Sequence, residues 1–413
     1  MRSVALARFG RPPVGAVAVR SPSVRTVFWL NMLSPHLAPV IRALARRPDA
    51  RVTVVAETEC TANRRSLGWR VPDLSGVEVV ISPTSRQIDS LASTQGVHIV
   101  GGVHGYELGR FALRALLDAS AHFGLMSECF ESDGLLGPIR RLRSVHERWA
   151  FGDRLDFILA IGAQAQSWYE NCGYPANKIF PFGYFPEAPD SVPEDPRHTA
   201  PTVFELMYLG RCAPGKGLEN LARALHGIND LQFRCTFLGD GPARPGLSNL
   251  IQKLGLTGHT RMLPSASWPA AMAELGKVDL LVLPSDRKDG WGAVVNEALM
   301  LGVPVLCSRI CGAAALLSES WRGELVDARS VEELCSAIGR AVARGTVTGP
   351  ARRRIRQWAR CLAGDRVAEY ISKVLACVYG HAPRPLPPWA DTTHSCDTRP
   401  PRGSTAGEMA VPG

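Results

Sequence analysis

The sequence predicts an α/β protein with two doubly wound domains, each a parallel sheet covered by helices on both faces. Short strands that are apolar throughout alternate with amphipathic helical segments, as in sheets buried on both sides. A proline-rich break over residues 186–201 interrupts this alternation, which then restarts, and we interpret the break as an interdomain linker. At 413 residues, the chain is long enough for two such domains.

The first domain is predicted over residues 24–185, where apolar runs indicate strands and periodic segments indicate helices. The predicted strands are 27–33, 51–56, 77–81, 97–103, 123–127 and 157–161. Helices are predicted over 35–46 and 107–119, and an arginine-rich helix is expected between the last two strands.

The second domain is predicted over residues 202–350, and helices over 351–380 follow it. Its predicted strands are 203–209, 234–238, 259–263, 279–283, 304–308 and 324–326, with helices between them that include 218–227 and 331–344. Residues 1–23 and 381–413 lack periodicity, and the latter are rich in Pro, Ser, Thr and Gly, so both ends are predicted to be disordered.

Composition excludes several classes of protein. The chain is 46% hydrophobic without an apolar run of 18 residues, which argues against a transmembrane helix, and its N-terminal segment lacks the compact apolar stretch of a signal peptide. The eleven cysteines form no Cys-x-x-Cys pair and are expected to be reduced and buried. The net charge of +9 fits either an Arg-rich soluble protein or an anionic partner, and no nucleic-acid-binding motif accompanies it.

Two carboxylates in the second domain flank a glycine-rich turn. Asp289 follows a buried strand, and Glu297 stands about two turns into the next helix. Between them, the backbone N–H groups at Trp291 and Gly292 mark the start of that helix. Strand ends and helix N-termini of this kind bind nucleotides and anions in open α/β sheets.

A second loop combines glycine with two cations. Gly210 ends a strand, and Arg211 and Lys216 flank the short turn that follows. Arginine can bind two phosphate oxygens at once, and lysine acts as a point charge. A solvated turn also fits these residues. So does the phosphate loop of a nucleotide triphosphatase, although Gly217 stands where such a loop needs a Ser or Thr hydroxyl for magnesium.

A third turn, at Gly239 and Asp240, follows another strand and is either a plain βα turn or part of a base-binding site. In their order along the chain, the three elements resemble retaining glycosyltransferases of family 4 from about residue 203 to 328. Two glutamates separated by seven residues mark that family; here Asp289 takes the first position and Glu297 the second. The resemblance implies the GT-B fold: two Rossmann-like domains facing a cleft, with a C-terminal helix crossing back to the first domain.

The resemblance also implies roles for the donor side. Arg211 and Lys216 would hold the leaving phosphates, and Asp289 would accept hydrogen bonds from the donor sugar. Glu297 would accept from the ribose hydroxyls, and the backbone around Leu263 would contact the nucleobase.

The first domain would face the acceptor. His104, just past the strand 97–103, is expected near the donor sugar and the acceptor. The loop from Asn31 to His36 is a further candidate, although helix capping by Ser34 explains it equally well, and Glu128 is a third.

These assignments lead to one expected function and two alternatives. We expect a retaining transferase that moves a sugar from a nucleotide-diphosphate sugar to a hydroxyl of a glycan or lipid-linked acceptor, without a metal or another cofactor. It should be cytoplasmic, with peripheral contact to an anionic membrane at its inner face, and should not bind nucleic acid. The alternatives are a sugar-nucleotide epimerase on the same fold and a non-catalytic sugar-nucleotide-binding protein.

Overall fold

Two parallel β-sheets form the framework of the protein. The computed structural model describes residues 25–48, 50–66, 69–129, 137–189, 203–287 and 289–390. The predicted extension over 1–23, most of the predicted linker over 186–201 and residues 391–413 of the predicted tail lie outside these ranges.

The first sheet has the order β3-β2-β1-β4-β5-β6-β7, with all neighbouring strands parallel. Its strands are β1 Arg25–Met32, β2 Arg51–Thr58, β3 Glu78–Ile81, β4 Val97–Val100, β5 His122–Glu128, β6 Phe157–Ile161 and β7 Ile179–Phe182. The sequence analysis did not predict β7, because Pro181 interrupts its apolar run. This strand lies at the sheet edge, where a residue without an N–H group is tolerated.

The helices of the first domain connect these strands on both sides of the sheet. They are α1 Ala38–Ala45, α2 Ala62–Ser66, α3 Ser85–Ala92, α4 Glu107–Asp118, α5 Gly137–Phe151 and α6 Ala165–Asn171. The arginine-rich helix predicted between 127 and 157 is α5.

The second sheet repeats the doubly wound pattern with the order β10-β9-β8-β11-β12-β13. Its strands are β8 Phe204–Leu209, β9 Phe233–Leu238, β10 Thr260–Leu263, β11 Leu280–Leu283, β12 Val305–Ser308 and β13 Gly323–Val326. Its helices are α7 Leu218–His226, α8 Arg244–Lys253, α9 Trp268–Leu275, α10 Val294–Met300 and α11 Val331–Arg344. The prediction of two parallel-sheet domains is confirmed.

Strands that are apolar on both faces explain this layered packing. In β1, Phe28 and Leu30 belong to one buried cluster, whereas Val27 and Trp29 belong to another on the opposite face. Because side chains alternate along a strand, each face then needs its own layer of helices.

The chain returns to the first domain through its last helices, as the GT-B expectation required. After α12 (Gly349–Ala359), helix α13 (Gly364–Gly380) packs against α1. Tyr370 donates its hydroxyl to the Pro181 carbonyl at 3.0 Å, and Tyr379 donates to Asp156 Oδ2 at 2.9 Å. The returning helix therefore follows the second domain in the chain and packs on the first.

The prediction that the tail is disordered is wrong for its first ten residues. Residues 381–390 lie along the first domain, where the Arg384 guanidinium is 4.4 Å from the Phe180 ring centroid and donates to the Asn177 carbonyl at 3.1 Å. Trp389 stacks on Phe185 with ring centroids 6.3 Å apart. One tryptophan and one arginine anchor a segment whose composition alone suggested disorder.

The buried polar groups of the described residues include several cysteines but no metal cluster. The buried thiols belong to Cys60, Cys129, Cys172, Cys212, Cys235, Cys307 and Cys311. In these same ranges, no group of three His, Cys, Asp or Glu side chains is arranged to hold a metal ion. None of the described helices combines the length and the apolar character that crossing a bilayer requires.

A buried ion pair joins α12 to the second sheet. Arg352 and Asp279 are 2% and 0% exposed, and the Arg352 Nη2 to Asp279 Oδ1 distance is 3.8 Å. The guanidinium also donates to the Val278 carbonyl at 2.5 Å, while Asp279 accepts from the backbone N–H groups of Glu205 and Val347. Both charged groups therefore have partners away from water, and removal of one side chain leaves the other buried without its counter-charge.

We predict that Arg352→Met lowers the free energy of unfolding by about 3–5 kcal/mol, because it leaves the buried Asp279 without its cation. The measurement is urea unfolding followed by circular dichroism. Arg353→Met, on the exposed face of the same helix, is the matched control and should change stability by less than about 0.5 kcal/mol. Equal losses in the two variants would contradict the role of the pair.

Candidate functional site

A cleft of about 810 Å³ lies between the carboxyl ends of the two sheets. In each sheet, the strand order reverses at the first strand, between β1 and β4 and between β8 and β11. Residues at the ends of all four strands line the cleft, among them Asn31, Gly101, Leu209 and Leu283. The cleft therefore lies where open α/β sheets bind their ligands.

Most residues that the sequence analysis placed in the donor site line this cleft. They are Gly210, Arg211, Lys216, Gly239, Asp240, Asp289, Trp291 and Gly292.

The loop after β8 is shaped by Gly217. This residue has φ +66°, and a Cβ there would stand 1.7 Å from the Pro284 carbonyl oxygen. Only glycine allows this left-handed conformation and this close approach to the end of β11. The contact directs the preceding Lys216 toward the loop that follows β11.

Lys216 and Asp289 meet in the cleft. The Lys216 Nζ to Asp289 Oδ2 distance is 2.5 Å, and the Ser285 hydroxyl donates to the same oxygen at 3.1 Å. Both side chains keep part of their surface exposed, 25% and 18%. The pair thus holds the two predicted elements together while it stays accessible to a ligand.

Arg211 supplies a second cation beside this pair. Its carbonyl accepts the Tyr208 hydroxyl at 2.8 Å, which fixes the turn, and its side chain lines the cleft. Within the residues that the structure describes, its guanidinium makes no ion pair. It can therefore accept an anionic ligand without breaking an existing contact.

His36 faces these residues from the first domain. Its ring packs edge-on against Trp69 at 4.8 Å between centroids, and burial together with the nearby Arg64 charge lowers its pKa to about 4. Its Nδ1 atom is buried and has no hydrogen-bond partner among the described residues. The ring is thus a neutral imidazole in the cleft wall, with its Nδ1 atom turned away from solvent.

Glu128 connects the two walls of the cleft. It ends β5, and a Cβ at Gly290 would lie 1.9 Å from its Oε2 atom. The Tyr184 hydroxyl hydrogen-bonds Glu128, and burial and this carboxylate raise the pKa of Tyr184. The sequence analysis named Glu128 as a candidate, and the structure places it in the cleft against the loop that contains Asp289.

Trp291 fills the domain interface beside the cleft and is 2% exposed. A Cβ at Gly183 would meet its ring at 2.3 Å, and its indole N–H donates to Asn296 Oδ1 at 2.8 Å. The Asn296 amide then donates to the Tyr184 carbonyl at 3.1 Å. The backbone of Trp291 was predicted to bind a sugar or phosphate. Its side chain also holds the second domain against the first.

Asp240 organises a turn at the cleft edge. It accepts from the Ser265 backbone N–H at 2.7 Å and from Arg244 at 3.1 Å, and these bonds, led by that of Ser265, lower its pKa. The carboxylate is thus engaged in the connection between the ends of β9 and β10. This supports the alternative of a plain βα turn for Asp240 in the unliganded protein.

His104 is not in the cleft, contrary to its predicted position near the donor sugar. It lines a separate cavity of about 290 Å³ between α4 and α5. Its Nε2 lies 2.6 Å from Glu147 Oε1, and Arg143 approaches its Nδ1 at 2.5 Å. Two side chains of α5 therefore hold the ring away from the interdomain cleft.

Glu297 and Leu263, both predicted to contact a nucleotide, are not among the described residues that line the cleft. Glu297 is 7% exposed and accepts the Trp268 indole N–H at 2.8 Å, and burial raises its pKa although this bond opposes the rise. The Leu263 carbonyl accepts from Gly239 and Arg244. Ser265 and Ala266 line the cleft in its place.

Several cleft residues escaped the sequence analysis. Tyr208 is the last residue but one of β8, and Tyr184 comes two residues after the end of β7. Their positions at strand ends could have indicated that they line the cleft. Arg64 lies in the short helix α2, Trp69 lies in the irregular segment that follows it, and no such signal marks either residue; the guanidinium and the ring are 4.4 Å apart.

The architecture defines a GT-B protein. The family model described as "Glycosyl transferases group 1" matches residues 195–360, which cover most of the second domain. A crystal structure of Anabaena Alr3699/HepE in complex with UDP superposes with a TM-score of 0.64 at 16% identity, covering 86% of this chain and 100% of that one. This likeness establishes the fold.

Two curated relatives match part of this chain. An alpha-D-kanosaminyltransferase of Streptomyces kanamyceticus is 31% identical over 33% of this chain and 35% of its own. A GDP-mannose-dependent alpha-(1-6)-phosphatidylinositol monomannoside mannosyltransferase of Mycolicibacterium smegmatis is 29% identical over 40% of this chain and 47% of its own. The matches span about a third to a half of the length of these relatives.

We predict that Trp268→Phe destabilises the protein more at pH 8 than at pH 4. The folded-state pKa of Glu297 is raised, so its contribution to stability is present at low pH and is lost as the pH rises through that value. Without the indole donor, the ionised carboxylate is buried unpaired, at a cost of about 1.5–3 kcal/mol. Urea unfolding at the two pH values measures the difference.

Trp321→Phe is the matched control, because Trp321 is a partly buried tryptophan of the same domain that does not contact Glu297. Its effect should not change with pH in this way. A pH-independent loss in Trp268→Phe would show that the indole contributes packing alone.

Proposed function

We propose that the protein is a retaining glycosyltransferase of family 4. It would move a sugar from a nucleotide-diphosphate sugar to a hydroxyl group of an acceptor used in glycan or glycolipid synthesis. The observation that supports this most directly is the meeting of Arg211, Lys216 and Asp289 in the cleft between the two domains.

The charges of this group fit a sugar diphosphate. Arg211 can bind two phosphate oxygens, and Lys216 can turn from Asp289 toward a phosphate because both remain partly exposed. The released Asp289 carboxylate can then accept hydrogen bonds from sugar hydroxyls. Each ion of the pair thus occupies, for the other, the position that a part of the donor would take.

The proposed reaction exchanges one bond at the anomeric carbon for another. The bond to the diphosphate oxygen breaks, and its electrons stay on the leaving group, which Arg211 and Lys216 stabilise. The acceptor oxygen bonds to the same face of the sugar, and its proton passes to an oxygen of the leaving phosphate. The enzyme contributes position, charge and exclusion of water.

The acceptor would enter from the first domain. His36 lies in the cleft wall as a neutral imidazole, and Glu128 lies in the cleft against the loop that contains the acid at position 289. Both can hydrogen-bond acceptor hydroxyls. This replaces His104, which lies outside the cleft.

Donor binding provides the first test, because it requires no acceptor. We predict that one class among UDP-, GDP- and ADP-sugars raises the melting temperature, with a stabilisation of about 2.7 kcal/mol at a hundredfold excess over the dissociation constant. Thermal unfolding across a ligand series is the measurement. If no nucleotide sugar shifts the transition at any concentration, the proposal fails.

Lys216→Ala is predicted to lower turnover by a factor on the order of 10²–10³, the effect of removing one donor to a developing anion. Nucleotide release from the preferred donor, with a screened acceptor, is the measurement. Lys253→Ala, an exposed lysine at the end of α8, is the matched control and should keep the wild-type rate.

Wild-type turnover in Lys216→Ala would contradict the phosphate role. The same assays run in EDTA test the proposed independence from metal ions, because the cations of the chain would neutralise the leaving group. Activity that is lost in EDTA and restored by magnesium would overturn that part of the proposal.

A further inference from the structure

The apolar side chains that the described residues expose are concentrated on one surface of the first domain. Helices α4 and α5 contribute Phe111, Ile139, Leu142, Val145 and Trp149 to it, with Leu142 69% and Trp149 78% exposed. Apolar side chains at such exposure are normal singly, but a contiguous group indicates a surface that contacts something other than water.

Helix α5 presents this apolar group on its outer side. Gly137, Ser144 and Phe151, seven residues apart, are buried against the domain. Ile139, Leu142 and Trp149 follow helical spacing on the opposite side. The usual pattern of a surface helix is thus inverted, since the buried side uses small residues and the outer side uses large apolar ones.

Cations flank the apolar stripe. Arg140, Arg141 and Arg143 lie on α5, and the cavity between the two helices is lined by Arg110 and Arg114 of α4. Helix α5 has four arginines and one glutamate, so its net charge is positive, whereas Arg110 and Arg114 of α4 pair with Glu107 and Asp118 of the same helix. Large apolar residues beside arginines, with a tryptophan among them, have the chemistry of an interfacial membrane helix.

We infer that the outer face of α5, with Phe111 of α4 beside it, binds the surface of an anionic lipid bilayer. Ile139, Leu142 and Trp149 would enter the boundary between headgroups and acyl chains, and Arg140 and Arg141 would contact lipid phosphates. A second copy of the chain fits less well. A two-fold contact through this helix would bring the arginines of one copy against those of the other.

The position of the helix connects this surface to the cleft. Strand β5 ends at Glu128 in the cleft, and α5 is the next helix of the same βα unit. Its N-terminal end, where Ile139 and Leu142 stand, is therefore the end nearest the carboxyl edge of the sheet. The bound membrane would lie beside the first-domain wall of the cleft.

Vesicle sedimentation of the full chain tests this inference without reference to catalysis. We expect binding to phosphatidylcholine vesicles that contain phosphatidylglycerol, weaker binding to phosphatidylcholine alone, and a loss of affinity as salt increases. Leu142→Ser combined with Trp149→Ser should weaken binding by at least about tenfold, because two apolar side chains no longer enter the lipid. Arg140→Gln with Arg141→Gln should weaken only the anionic-vesicle binding, by about fivefold per charge.

Leu386→Ser is the matched control, because Leu386 is 62% exposed and lies outside this surface. It should bind like the wild type, and circular dichroism should show that all variants remain folded. Absence of binding to anionic vesicles, or unchanged binding in the Leu142 and Trp149 variant, would overturn the inference. So would a wild-type dimer that this variant converts to monomers in light scattering.

Discussion

The cleft depends on the insertion of Trp291 between the two domains. Its ring occupies space that only glycine at position 183 leaves open, and it packs near Phe185 and Trp389 with centroid distances of 6.3 and 6.0 Å. A buried tryptophan requires a partner for its N–H group, and Asn296 provides it while bonding to the Tyr184 carbonyl. One side chain of the second domain thereby sets the position of the loop that contains Asp289 relative to the first domain.

This anchoring explains how opposite charges are held close together in the cleft. Asp289 lies two residues before Trp291, so the indole fixes the backbone that presents the carboxylate to Lys216. The contact of Gly290 with Glu128 adds a second limit to domain separation. For the diphosphate of the proposed donor, the cations would already be in place, and the reorganisation would be limited to the exchange of one ion pair.

The sequence predicted the sheets well because buried parallel strands have a simple signature, and β6 and α11 were placed to the residue. It predicted the Lys216 and Asp289 loops because strand ends converge at a switch point. It failed at His104 because the side chains of α5, distant in sequence, draw that ring into another cavity. It failed at residues 381–390 because composition does not reveal that Trp389 finds a ring to stack on.

Glu297 shows that a sequence motif can predict which residue stands at a position without predicting its hydrogen-bond partner. Its carboxylate is buried against the Trp268 indole, and an unpaired charge at that depth would be costly. A ribose hydroxyl that reached it would have to replace the indole N–H as the donor to this buried carboxyl group. Because Trp268 begins α9 and is 37% exposed, its ring can leave without disturbing the core. Nucleotide contact at Glu297 therefore requires an exchange of donors, whereas contact at Arg211 requires none.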